Sequence, residues 1–165
     1  METKIRLATL QDLQQILQIV NHNILYSTAV YDYEERSLTD IEAWFKDKQV
    51  NNWPVIVAEY NGQIAGYGTY GTFRTKEAFK YTVEHSVYVA EGYMGKGVGK
   101  LLLNELIKTA KQQGYHTMIG CIDADNKGSI DFHKKFGFTD AGTVKQVGFK
   151  FNRWLDMQFM QLLLK

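Results

Sequence analysis

Along the chain, apolar positions switch repeatedly between a period of two and a period of 3.6, and each switch predicts an element. Ile5 and Leu7 alternate with polar neighbours as a short strand does. Leu13, Ile16, Leu17 and Val20 then recur at helical spacing behind Thr9, a residue type suited to capping a helix N-terminus. Thr39-Asp40-Ile41-Glu42 has the spacing of a capping box, and Ile41, Trp44 and Phe45 supply the apolar face of a second helix that ends before Pro54. Residues 23 to 38 link the two helices. Val55 to Ala58 and Ile64 to Tyr67 flank Asn61-Gly62, a dipeptide that readily takes the positive φ angles of a tight hairpin.

After a loop around Arg74 to Lys80, the run Thr82 to Val89 is rich in β-branched and aromatic residues and predicts a central strand. The turn Gly95-Lys96-Gly97-Val98-Gly99 follows it. Leu101, Leu102, Glu105, Leu106 and Ala110 then form an amphipathic helix closed by Gly114, and another strand runs from Met118 to Ile122. Asn126 caps a short helix through Ser129, Ile130, Phe132 and His133, ended by Gly137. Alternating segments around Gly142 to Val147 and Trp154 to Leu163 predict a closing antiparallel pair. The sum is an α+β fold: a mixed, mainly antiparallel sheet flanked by helices on both faces, with one embedded β-turn-α unit.

Composition narrows the function classes. A chain of 165 residues suits one domain, with roughly two thirds of the unfolded surface buried. Hydrophobic residues at 45% and charged residues at 22% are ordinary for a soluble globular protein, which disfavours disorder. The net charge of +1 creates no basic field that selects nucleic acid. The N-terminus shows no apolar run, and no stretch approaches the ~20 apolar residues of a membrane span, so a cytoplasmic location is expected. The lone Cys121 sits in an apolar run, where cysteine usually packs as a small hydrophobe. His22, His85, His116 and His133 are widely separated with no ligand spacing around them, and no metal is expected.

The glycine turn is the chief chemical signal. Glycines at alternate positions between a strand and a helix allow close backbone approach, and the helix N-terminus presents free N–H groups to an anion. Lys96 and Lys100 add positive charge. A plain glycine connector has the same appearance. A Walker A loop does not fit, because Met94 stands at its first glycine and Leu101 at its Ser or Thr position. A dinucleotide fingerprint beginning at Gly97 meets Leu102 at its third glycine; Asp123 after the next strand can mimic the acidic ribose ligand, but successive parallel βα units are missing.

Val87-Tyr88-Val89, the turn Gly95-Lys96-Gly97-Val98-Gly99-Lys100-Leu101-Leu102, and Asn126-x-x-Ser129-x-x-Phe132-His133-x-x-Phe136-Gly137-Phe138 together resemble the GNAT superfamily of N-acetyltransferases. The resemblance spans nearly the whole chain. More narrowly, Thr82 to Val89 and Val147-Gly148-Phe149-Lys150-Phe151-Asn152-Arg153-Trp154-Leu155-Asp156 resemble the phosphinothricin and methionine sulfoximine acetyltransferase branch. The resemblance implies acetyl-CoA as co-substrate and a small amino-acid-like amine as acceptor. It implies that the backbone of Val87, Tyr88 and Val89 pairs with the pantetheine arm and that amides of Gly95, Lys96, Gly97, Val98, Gly99 and Lys100 hold the pyrophosphate. It places Asn126 at the pantetheine end. The same residues have plainer roles, the valines in a core and Asn126 as a cap.

Acetyl transfer to an amine needs a base, a donor to the thioester oxygen, and a proton for the leaving thiolate. Glu84, on the strand expected to carry the thioester, is the candidate base through a water, set against an ordinary solvent-facing glutamate. His133 stands where the superfamily usually has a tyrosine acid, as a proton donor or as a packed structural histidine. A backbone amide near Val89 is the expected oxyanion donor. Arg74 offers a bidentate fork for a substrate carboxylate, and the branch resemblance adds Thr75, Lys76, His85 and Ser86 to the substrate pocket. Relatives in the branch resemble homodimers, with Arg153 near the interface. Two residues depart from the pattern: Met94 replaces an arginine or glutamine, and Asn152 replaces a glycine. An acetyltransferase for another amine or polyamine, and a non-catalytic acyl-CoA-binding module, share most of these features.

Overall fold

The computed structural model describes residues 2 to 165. The chain runs β1 (Lys4–Leu7), α1 (Leu13–Tyr26), α2 (Leu38–Val50), β2 (Val55–Tyr60), β3 (Gln63–Thr72), β4 (Thr82–Val89), α3 (Val98–Gln112), β5 (Thr117–Asp123), α4 (Lys127–Lys134), β6 (Thr139–Lys150) and β7 (Arg153–Leu163). Short 3-10 turns at Leu10–Asp12 and Glu77–Phe79 complete it. The strands form one sheet in the order β1-β2-β3-β4-β5-β7-β6. Only β4 and β5 run parallel, because α3 carries the chain back between them. The α+β architecture expected from the sequence is the one observed.

Helices cover both faces, so the sheet has two cores. Leu102, Leu103, Leu106 and Ala110 of α3 pack with Ala58, Tyr70, Val83, Met118 and Met160 on one face. Ile16, Val20 and Ile24 of α1 and Ile41 and Phe45 of α2 pack with Val57 and Tyr67 on the other. Each fully buried leucine contributes on the order of 1.5–3 kcal/mol to this packing.

Several local signals act as expected. Asn61 and Gly62 take φ of 51° and 75° in the β2–β3 turn, the left-handed pair a type I′ hairpin requires. Thr9 and Asp12 close a capping box ahead of α1, and Asp12 is anchored by Arg6 through bonds of 2.7 and 2.9 Å. The Asn126 side chain accepts from the Ser129 amide at 3.1 Å and caps α4. The second helix differs from expectation: its cap is Ser37, two residues before Thr39. Ser37 holds the extended backbone, its hydroxyl accepts from the Asp40 amide, and its own amide donates to the Asp40 carboxylate at 2.8 Å. Thr39 and Glu42 are already helical. The β6–β7 turn is made by Phe151 and Asn152 at φ of 52° and 57°. Asparagine tolerates the left-handed region, so the turn forms without a glycine.

Candidate active site

The sheet opens at one place. β4 pairs with β3 along its whole length, from Thr72↔Val83 to Gly66↔Val89. With β5 it pairs only at Thr82↔Thr117, Val83↔Met118 and Glu84↔Ile119. Beyond Glu84 the parallel strands separate, and the backbone of β4 up to Val89 faces a gap. His85 is built into the apex of that gap. Its Nδ1–H donates to the Ile119 carbonyl at 3.0 Å, supplying a bond at the last paired position of β5. Gly120 leaves room for the ring, because a Cβ there would lie 2.9 Å from His85 Cε1.

The glycine turn stands at the far end of β4. Gly95 and Gly97 take φ of 75° and 81°, which side chains with a Cβ rarely adopt, and open space lies on the Cβ side of each. Helix α3 starts at Val98 with no side chain capping it. The amides of Val98, Gly99 and Lys100 are therefore free to meet an anion. Lys96 and Lys100 are exposed beside them, and Met94 is solvent-facing at 73%.

On the opposite face of β4 lies a cavity of about 330 Å³. Glu84, Ser86 and Tyr88 of β4 line it, with Cys121 and Asp123 of β5, Met157 and Phe159 of β7, Arg74, and the Thr28–Tyr31 loop. The Cys121 thiol donates to Glu84 Oε1 at 2.9 Å. Burial, and then the Glu84 carboxylate, push that thiol well above its ordinary range, so it is a neutral donor and not a nucleophile. Asp123 accepts from the Thr28 hydroxyl at 2.6 Å and from Arg153 at 3.4 Å. Burial works to raise its pKa, but the Thr28 hydroxyl, the Asp125 amide and Arg153 outweigh it and hold the carboxyl below the usual value. The Tyr31 hydroxyl is buried in the wall without a hydrogen-bond partner. A second cavity, of about 240 Å³, lies between α1 and the end of β4, where Gln18, His22 and Glu91 line it.

The structure thus brings Glu84, Ser86 and Arg74 together, and it sets other expected residues apart. Thr75 and Lys76 are exposed in the loop before β4 and do not line the cavity. His85 also borders the cavity, though its ring is buried, with Nδ1 on the Ile119 carbonyl and Nε2 beside His133. His133 is equally committed. Its Nε2 lies 2.9 Å from His85 Nε2, and its Nδ1–H donates to the Ser129 carbonyl at 2.7 Å. Both rings spend Nδ1–H on a carbonyl, so a hydrogen bond between the two Nε2 atoms needs a proton on one of them. Burial, and then the neighbouring His133, push His85 down to about 3; burial lowers His133 as well. Two histidines 48 residues apart in sequence are therefore paired in space. Among the described residues no cluster of three or more His, Cys, Asp or Glu is placed to hold a metal ion. Thr28, Asp123, Cys121, Met157 and Phe159 line the cavity unforeseen, whereas Tyr31 is an aromatic that the sequence already offers as a pocket wall; of the unforeseen residues only Asp123, at the C-terminal end of a strand, carries a signal.

Residues 5–159 match the family model described as an acetyltransferase (GNAT) domain. The chain is 42% identical over 158 residues to an L-methionine sulfoximine/L-methionine sulfone acetyltransferase of Salmonella typhimurium, covering 96% of this chain and 92% of that protein. An N-acetyltransferase from Staphylococcus aureus Mu50 superposes with a TM-score of 0.98 at 45% identity, covering 100% of both chains. A GNAT superfamily phosphinothricin acetyltransferase from Sinorhizobium meliloti, solved in complex with AcCoA, superposes with a TM-score of 0.95 at 34% identity, covering 99% of this chain and 89% of that one. The opened β4–β5 pair, the uncapped glycine turn and these likenesses agree: the chain belongs to the GNAT family of N-acetyltransferases.

Proposed function

We propose that this enzyme transfers the acetyl group of acetyl-CoA directly to the α-amine of a small amino-acid-like substrate of the methionine sulfoximine or phosphinothricin type. The observation that carries the reading is the two-sided access to β4: a free backbone edge ending on the glycine turn on one side, a carboxylate-lined cavity on the other. In this reading the edge of Val87, Tyr88 and Val89 takes the pantetheine arm as an added strand. The amides of Gly95 to Lys100 take the pyrophosphate, and Asn126 meets the arm near the thioester.

Glu84 accepts the proton of the substrate ammonium through a water. The freed amine attacks the thioester carbonyl, its oxygen held by a backbone amide near Val89. The C–S bond then breaks, and the proton shed by the new amide nitrogen passes through water to the departing thiolate, while His133 Nε2 stays turned to His85. Arg74 pairs with the substrate carboxylate. The protein acts as a homodimer; Val147, Phe149, Phe151 and Trp154 expose apolar area on the β6–β7 hairpin that a second copy can cover. Incubation with acetyl-CoA and L-methionine sulfoximine or phosphinothricin releases free CoA thiol and the N-acetylated amine. No release above background across a broad amine panel contradicts the enzymatic reading.

A further inference from the structure

The segment Val147 to Asp156 has no part in the transfer chemistry above, yet it converges on the substrate cavity from the sheet edge. Gly148 is buried because the Tyr31 ring occupies its side-chain space: a Cβ there would lie 2.8 Å from Tyr31 Cε2. Two residues on, Lys150 is 5% exposed, and its ammonium donates to the Ser27 carbonyl at 2.8 Å and the Val30 carbonyl at 2.6 Å. Among the described residues that ammonium makes no ion pair. The Phe151 ring lies 5.0 Å from it, which favours the cation further. Arg153 holds Asp123, which in turn accepts the Thr28 hydroxyl. The Tyr33 hydroxyl donates to the Phe149 carbonyl. Apart from the Phe151 ring, these ties end on one stretch, Ser27 to Tyr33, directly or through Asp123.

We propose that Lys150 is a positioning residue that latches the Ser27–Tyr31 loop to the sheet edge and so shapes the wall that admits the amine substrate. The inference rests on the cavity being the amine site. A buried cation tied to two loop carbonyls resists loop opening, because opening strands the charge or its acceptors. Inward-facing Gly148 and Lys150 alternate with outward Val147, Phe149 and Phe151, so one strand joins the apolar outer face to the pocket wall. Burial lowers the Lys150 pKa, consistent with an ammonium that depends on those carbonyls.

Two variants test the latch with the full chain. Lys150→Met removes the donor at similar bulk, and Gly148→Ala keeps the charge but displaces Tyr31. In both, the KM for L-methionine sulfoximine should rise, by about tenfold or more for Lys150→Met, because small displacements of a positioned substrate are costly. The acetyl-CoA dissociation constant, read by calorimetry, should stay unchanged. Hydrogen exchange of the 27–33 amides should quicken in Lys150→Met, a readout that needs no turnover. If the wild-type enzyme acetylates none of the amines, the function proposed above fails, and unchanged exchange still overturns the latch separately. An unchanged amine KM in both variants, or acetyl-CoA binding weakened in parallel with it, also overturns the proposal.

Discussion

On the edge of β4 that faces the gap, the site is made of main chain: unpaired strand positions, two left-handed glycines and the free amides of α3. On the face of β4 that carries Glu84, Ser86 and Tyr88, it is made of side chains from five separate stretches of the chain. In the proposed function the first arrangement takes what acyl-CoA ligands share, a phosphate chain and an extended amide arm. The second, proposed to select one amine among many, is held in shape by distant contacts. Changes to the backbone side should therefore alter acetyl-CoA binding, while changes to the side-chain side should alter turnover or amine selectivity.

The sharpest break is expected from Glu84→Gln, which removes the base but preserves shape. Turnover should fall by about 100-fold or more, with acetyl-CoA binding retained, as steady-state kinetics beside calorimetry will show. A variant that keeps its turnover moves the base elsewhere. Gly97→Val forces a branched side chain into a φ of 81°. On strain of a few kcal/mol at most, it should weaken acetyl-CoA binding by about tenfold, leaving the amine KM unaltered at saturating acetyl-CoA.

His85 separates the two sides by its response to acid. Its folded pKa is depressed to about 3, so the stability it contributes is present above the unfolded value near 6.5 and is lost as pH falls toward the folded one. Urea unfolding should show about 1 kcal/mol lost between pH 6.5 and 5.5 from this residue. In His85→Asn, whose amide can still reach the Ile119 carbonyl, that slope should flatten; an undiminished slope assigns it to other groups. The smallest effect is expected at Cys121. Because its thiol is a neutral donor to Glu84, Cys121→Ser keeps the bond and should change kcat/KM by less than about threefold. Inactivation by that change contradicts the donor role.

The same division explains what could be read from the chain. Asn61-Gly62, the Thr82–Val89 strand, the glycine turn and the Asn126 cap are local signals, whose meaning lies within a few residues. The β4 edge was legible because the strand and the turn that ends it are contiguous. The pocket was not, because Lys150 meets Val30 across 120 residues and Asp123 meets Thr28 across 95. His85 and His133 lie 48 residues apart, and their pairing is visible only once β4 and α4 are stacked. Even the motif that contains Lys150 was recognisable as a string, but its partners were not. The shift from Thr39 to Ser37 is of a smaller kind, a choice between two overlapping caps decided by which residue stays extended.

A structure with acetyl-CoA bound tests the central division most directly. The pantetheine arm should lie along Val87 to Val89, the pyrophosphate on the amides of Gly95 to Lys100, and the acetyl group should open toward Glu84. Density for the cofactor in the cavity between α1 and the end of β4, against Gln18, His22 and Glu91, contradicts it.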